Sequence, residues 1–140
     1  MINFTKDFVL AGEAVFTVEN GKGEHYTYRI ESSEAKDTRP PLYFARVMVG
    51  RDNEGTYSYI GVVDTKTGSI RFTKASKHSD ISKEYLVLAW ALKQVWDHRT
   101  LPEGYAIRHS GNCGRCGRKL TNPESLNTGI GPECAKAISA

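Results

Sequence analysis

The chain is short of cysteine, short of proline and without a long apolar run, and each shortage closes off a class of protein. Three cysteines in 140 residues are an odd number, which argues against the paired disulfide framework of small secreted domains. The longest apolar stretch, residues 85–92, falls far below the roughly 20 residues that cross a bilayer as a helix. Near the start, the apolar residues from Phe8 to Phe16 are interrupted by Glu13, and Lys6 is answered by Asp7, so no secretory signal is expected. Reduced thiols and no membrane segment give a cytoplasmic location as the expectation. The chain also lacks the signatures that announce catalysis. It has no H-E-x-x-H, no phosphate loop, no G-x-S-x-G and no H-x-E with P-C-x-x-C, the patterns of metalloproteases, nucleotide hydrolases, esterases and zinc deaminases. Ser110 follows His109, but no aspartate is placed by the sequence to complete a triad. The expectation is a protein that is not an enzyme.

Neither sign of charge dominates. Nineteen Lys and Arg against 16 Asp and Glu leave a net charge of +3 and a pI near 8.8. That balance permits nucleic acid as a partner without requiring it. At 39% hydrophobic and 25% charged, the composition is that of an ordinary globular domain. Internal repeats and low-complexity segments are absent.

What is present is concentrated at the C-terminal end. All three cysteines, Cys113, Cys116 and Cys134, lie between His109 and Ala135. Two intervening residues let the thiolates of Cys113 and Cys116 point at one centre from a tight turn. Gly114 and Gly117 follow them, and glycine reaches positive φ at little cost, so the turn can wrap a metal. Pro132 favours the first turn of a short helix, where Cys134 would feel the positive end of the helix dipole as a thiolate. A closed structural zinc site takes four ligands. His109, four positions before Cys113, is the local choice for the fourth; His25, His78, His98 and Glu133 are the other candidates. Residues 105–140 hold few large apolar side chains, and pieces below roughly 40 residues usually need a metal or a partner surface to fold. The expected cofactor is therefore one Zn²⁺ ion held by His109, Cys113, Cys116 and Cys134.

The same residues carry a resemblance. CGRCGRKLTNPES followed by GIGPECA resembles the zinc-knuckle motif of a family of uncharacterised proteins common in bacteriophages and other mobile elements. That motif has a histidine shortly before CxxCGR, then a leucine, then PES, then GIGPxC. The chain matches it at His109, Cys113, Cys116, Gly117, Arg118, Leu120, Pro123 to Ser125, Gly129 to Pro132 and Cys134. Less closely, YFARVMVGRDNEGTYSYIG is similar to the stretch that often precedes the module. The resemblance implies a fold and a metal, and no shared biochemical activity.

Upstream, the pattern is that of strands. Residues 14–19 and 24–30 alternate with period 2 around Asn20-Gly21-Lys22-Gly23, which predicts a hairpin. Residues 42–49, 56–63 and 70–73 predict three further strands, the first nearly continuous in apolar residues. The period then changes to 3.6, and residues 82–98 predict a helix capped by Ser82. Its apolar stripe is Tyr85, Leu88, Leu92, Val95 and Trp96, widened by Leu86 and Trp90. A short strand, 105–109, leads into the tail. The fold expectation is thus α+β: an antiparallel sheet of about five strands packed by one long helix over residues 1–104, plus a small zinc-binding module over 105–140.

Three features are candidates for activity. The excess of positive charge gathers in the tail, where Arg108, Arg115, Arg118, Lys119 and Lys136 face only Glu124 and Glu133. Arg108, Arg115, Arg118 and Lys119 surround the knuckle and are the candidate nucleic-acid contacts, since zinc knuckles serve in such recognition; the alternative is that they solvate a module with little core. Arg71, Lys74, Lys77 and His78 would extend that surface if the sheet edge lies nearby. The tyrosines 26, 28, 43, 57 and 59 either stack bases or pack against the helix, and alternation favours packing. The functional expectation is a small zinc-binding accessory protein that contacts nucleic acid. The alternative, drawn from the mobile-element resemblance, is a protein that binds and modulates a host protein such as a defence nuclease.

Overall fold

A computed structural model describes residues 5–33, 41–49, 56–109, 112–114 and 130. Its elements are α1 (Lys6–Val9), β1 (Glu13–Glu19), β2 (His25–Ser32), β3 (Tyr43–Val49), β4 (Thr56–Val63), β5 (Ile70–Arg71), α2 (Lys83–Trp96) and β6 (Ala106–His109). The strands form one antiparallel sheet in the order β5-β4-β3-β2-β1-β6.

Alternation makes the sheet two-faced. Ala14, Phe16 and Val18 on β1 stand beside Ile30, Tyr28 and Tyr26 on β2, and Tyr28 and Ile30 continue to Val47 and Ala45 on β3. These side chains are buried or half-buried and form the inner face. At Asn20 the chain reverses: its side-chain oxygen accepts from the backbone N–H groups of Lys22 and Glu24 at 2.9 and 3.0 Å. This is the local bonding that makes Asn a turn residue. Between β3 and β4 the register shifts at Ala45/Arg46, a bulge of the kind that bends a strand and increases its twist. Beyond it Gly61 lies so close to β5 that a Cβ there would sit 2.5 Å from the Arg71 carbonyl oxygen.

α2 starts where expected, with the Ser82 hydroxyl accepting from the Tyr85 N–H at 3.3 Å. It buries Tyr85, Leu88, Ala91, Leu92, Gln94 and Val95. Leu88 and Leu92 join Phe16, Tyr28 and Ile60 in one core. Two phenols fasten helix to sheet: Tyr28 Oη donates to the Glu84 carbonyl and Tyr85 Oη to the Ile70 carbonyl, both at 2.8 Å. Leu86, assigned to the apolar stripe from the sequence, is instead 52% exposed, and Trp90 and Trp96 are half-buried against the core. The helix ends at Trp96, short of the predicted His98, which takes a positive φ of 54°.

The expected α+β class is corrected. Among the described residues the molecule is mostly antiparallel β, a half-barrel sheet of six strands with one short main helix and about 19% helix. A zinc module is not shown among the described residues. The discrepancy lies at β6. Four residues carry too little periodicity to signal membership of a sheet, yet Ile107 and His109 alternate in phase with Val18 and Phe16. The strand therefore pairs with β1 and becomes the sixth of the sheet. No helix among the described residues is long and apolar enough to cross a membrane.

Candidate functional site

The register of β6 on β1 decides what its side chains face. Phe16 pairs with His109, Thr17 with Arg108 and Val18 with Ile107. Ile107 and His109 therefore share the inner face with Val18 and Phe16, and Arg108 lies on the outer face with Thr17. His109 is half-buried, its ring centroid 5.8 Å from that of Phe8. Cys113, four residues on, is only 1% exposed and belongs to the same core cluster, as does Ile130. Gly114 is tied to β1 through backbone: Glu13 N–H donates to the Gly114 carbonyl at 2.6 Å.

Phe8 links these residues. A Cβ on Gly114 would come within 2.7 Å of the Phe8 ring, so glycine here permits close approach to an aromatic wall. The sequence argument for Gly114 was positive φ, and it is not among the positive-φ glycines. His109 and the residue after Cys113 thus flank one phenylalanine. A half-buried imidazole and, four residues on, a buried thiol are donors of the kind a structural zinc ion takes. Cys116 and Cys134, the other two expected ligands, lie outside the described residues. Among the described residues no three His, Cys, Asp or Glu side chains converge as a metal site. The alternative histidines have other settings, and Glu133 lies outside the described residues. His25 pairs with Glu19 at the hairpin end of β1 and β2, His78 bonds to Ser58 on β4, and His98 follows α2.

Of the four candidate nucleic-acid contacts, Arg115, Arg118 and Lys119 also lie outside the described residues. Arg108 is exposed and sits 3.6 Å from the Glu19 carboxylate, an ion pair open to solvent on both sides and so worth little. Arg71, Lys74 and Lys77 are exposed near β5. That edge and the β6 edge are the two ends of the sheet, with four strands between them, so these residues do not adjoin Arg108 along the sheet.

The tyrosines divide between the faces. Tyr28 is fully buried, and burial raises its phenol pKa far above the usual range, helped by Tyr26 and Glu84. Tyr26 and Tyr43 are partly buried on the same side. Tyr57 and Tyr59 lie on the outer face, with the Arg29 and Arg46 guanidinium carbons each 5.9 Å from a ring centroid. Phe44 adds a third ring, 6.1 Å from Tyr59. The arginines there are matched by acids. Arg29 lies 3.4 Å from Glu13 and 3.0 Å from Glu31, and Arg46 lies 3.7 Å from Glu31. The two Nε–H groups are shielded from solvent, and neither has hydrogen-bond alignment among the described residues. The outer face is thus aromatic and close to neutral at its centre.

Two further groupings had no sequence signal. His78 Nε2 lies 2.8 Å from Ser58 Oγ, and its Nδ1 lies 3.8 Å from a Glu84 carboxylate oxygen. The second distance is beyond a hydrogen bond, so Glu84 does not fix the imidazole tautomer as a catalytic triad requires. The contact pins the loop before α2 onto β4, alongside the Lys77 N–H to Tyr59 carbonyl bond of 2.9 Å. The other grouping is a cleft of about 390 Å³ between the β1–β2 hairpin end and α2. Tyr26, Trp90 and Tyr105 line it with Val18, Leu86 and Val87, and Glu19, Asn20, Glu24 and Lys83 supply its polar groups. Residues 19, 26, 86 and 105 meet there only through strand pairing and helix packing.

Residues 106–139 match the model of a family of unknown function, DUF6011, a match over about a quarter of the chain. No curated protein and no solved structure matches the chain.

Proposed function

We propose that the protein is a small zinc-binding accessory protein of the phage type, acting in the cytoplasm without catalysis, whose tail contacts nucleic acid. The zinc centre would be held by His109, Cys113, Cys116 and Cys134. Four protein ligands close the coordination sphere, so the metal would brace the tail and leave no position for a reacting water. The observation that carries this reading is that the His109 ring and Gly114, the residue after Cys113, both lie against Phe8 while Cys113 is buried in the same core, within the matched stretch 106–139 that contains all four donors. Arg115, Arg118 and Lys119, spaced through the knuckle, would hold phosphates.

One experiment separates the parts of this proposal. The chain purified from zinc-supplemented culture is assayed for metal content and for binding to single- and double-stranded DNA and RNA across salt concentrations. The expected result is one zinc per chain, lost in Cys116→Ser, and an affinity that falls steeply with salt and collapses in an Arg115/Arg118/Lys119→Ala triple variant that retains its zinc. Unchanged metal in Cys116→Ser refutes the zinc assignment, and undiminished binding by the triple variant refutes the contact.

A second reading, modulation of a host protein, is favoured by the aromatic cleft, which the tail does not require. A stoichiometric protein partner that persists after nuclease treatment would support it.

A further inference from the structure

The cleft between the hairpin end and α2 combines two features. Its walls are aromatic. Trp90 and Tyr105 lie 5.0 Å apart between ring centroids, tilted by 49°, and Tyr26 stands opposite on β2. Its rim is acidic. Glu19 ends β1 and Glu24 precedes β2, and the Asn20–Gly23 turn brings both residues to the cleft lining. The Asn20 amide steadies one of them, 3.4 Å from Glu24 Oε1. Against these two acids Lys83 adds one cation from the first turn of α2. Arg108 faces Glu19 from β6, through a pair whose side chains are 69% and 40% exposed, so the carboxylate stays available.

The apolar surface here is exposed. Leu86 and Tyr105, two of the large hydrophobic side chains left to solvent, are 52% and 43% exposed, and both line this cleft. The sequence-based stripe placed Leu86 in the core, yet the helix turns it to the rim. At about 390 Å³ the cleft falls within the ordinary range for a specific site.

An aromatic trough bordered by carboxylates suits one chemistry best. A cation is attracted by the faces of Trp and Tyr rings, an aliphatic stem is matched by Leu86, Val87 and Val18, and Glu19 and Glu24 complement the charge. We propose that this cleft receives a basic side chain, arginine above all, presented by a segment of a protein partner. Arginine combines a planar guanidinium, which stacks on aromatic rings, with a stem that buries along apolar surface. The exposed Leu86 would take an apolar neighbour in the same segment. This proposal is independent of the zinc tail and of any nucleic-acid contact.

The test is a titration of the full chain with the blocked tripeptide acetyl-Leu-Arg-Ala-amide, read by NMR at the tryptophan indole N–H signals. The Trp90 signal is assigned from its loss in Trp90→Phe. The arginine peptide should shift that signal saturably. Acetyl-Leu-norleucine-Ala-amide, which keeps the stem and loses the charge, should bind about tenfold more weakly or worse. A Glu19→Gln/Glu24→Gln variant should weaken the arginine peptide severalfold without changing its affinity for the norleucine peptide, and high salt should do the same in the parent chain. Equal affinity for the two peptides overturns the proposal. So does undiminished arginine binding by the double variant, and guanidinium chloride binding as tightly as the peptide overturns the assignment to a protein segment. Should the double variant fail to fold, the salt titration decides: an affinity insensitive to salt also overturns it.

Discussion

The two faces of the sheet use the same residue types for opposite purposes. On the inner face Tyr28 is sealed among Phe16, Ile30 and Val47, and its hydroxyl is spent on the Glu84 carbonyl. On the outer face Tyr57 and Tyr59 lie half-exposed under Arg29 and Arg46. A tyrosine against the helix loses solvent on its whole ring and must find a partner for its oxygen. A tyrosine on the open side has no such requirement and contributes mainly through its neighbours on adjacent strands. The difference separates stability from surface chemistry. Changes to the inner face should act on the whole fold, and changes to the outer face should leave it standing.

The largest test of that contrast is Phe16→Ala. Phe16 is fully buried beside Tyr28 and pairs with His109 across β6. Its removal should lower unfolding free energy by about 3–5 kcal/mol in urea titration, and it should loosen β6 together with the body. A cost below that of an exposed substitution would show that the inner face is not the core.

Next is the phenol of Tyr28. Burial holds its pKa, and those of Tyr43 and Tyr85, above the ordinary value near 10. The unfolded chain ionises its tyrosines first as pH rises. The stabilising effect of the buried neutral phenols is therefore complete below pH 10 and is lost progressively above it. Tyr28→Phe should cost about 1 kcal/mol at neutral pH through the lost hydrogen bond to Glu84 and should blunt the alkaline fall in stability. A variant whose stability falls as steeply as the parent's above pH 10 would assign the effect to other groups.

The smallest effect belongs to the outer face. Tyr59→Ala removes a ring that touches Phe44 and Arg46 and accepts from Thr73 Oγ1 at 3.3 Å. It should change stability by no more than about 1 kcal/mol and leave the tryptophan fluorescence as it was. A loss comparable to Phe16→Ala would erase the distinction between the faces.

Much of the sheet was legible in advance. β1 to β4 lie within a residue or two of their expected bounds, because each carries seven or eight residues that alternate or, in β3, run nearly continuously apolar, and the first pair flanks an Asn-Gly turn. The cap at Ser82 and the buried residues 85, 88, 92 and 95 of α2 followed from period and local bonding. β6 was legible as a strand and not as part of the sheet. Nothing within Ala106–His109 states which edge it will join, since that depends on matching β1 some ninety residues earlier. The cleft was illegible for the same reason. Trp90 and Leu86 read as helix stripe, and Tyr105 as the start of a linker strand, until packing put them around one opening.

The chain's own order of residues determined its strands, its turn, its helix cap and the clustering of thiols and basic side chains in the tail. Those features rest on interactions between near neighbours, whose geometry is set by short-range backbone and side-chain preferences. Only the tertiary structure decided that six strands share a sheet, that His109 and Gly114 both lie against Phe8, that Ser58 lies against His78, and that two glutamates border an aromatic cleft. These juxtapositions join residues far apart along the chain. They arise from burying a common apolar face, and that burial is a property of the whole chain that no local stretch contains.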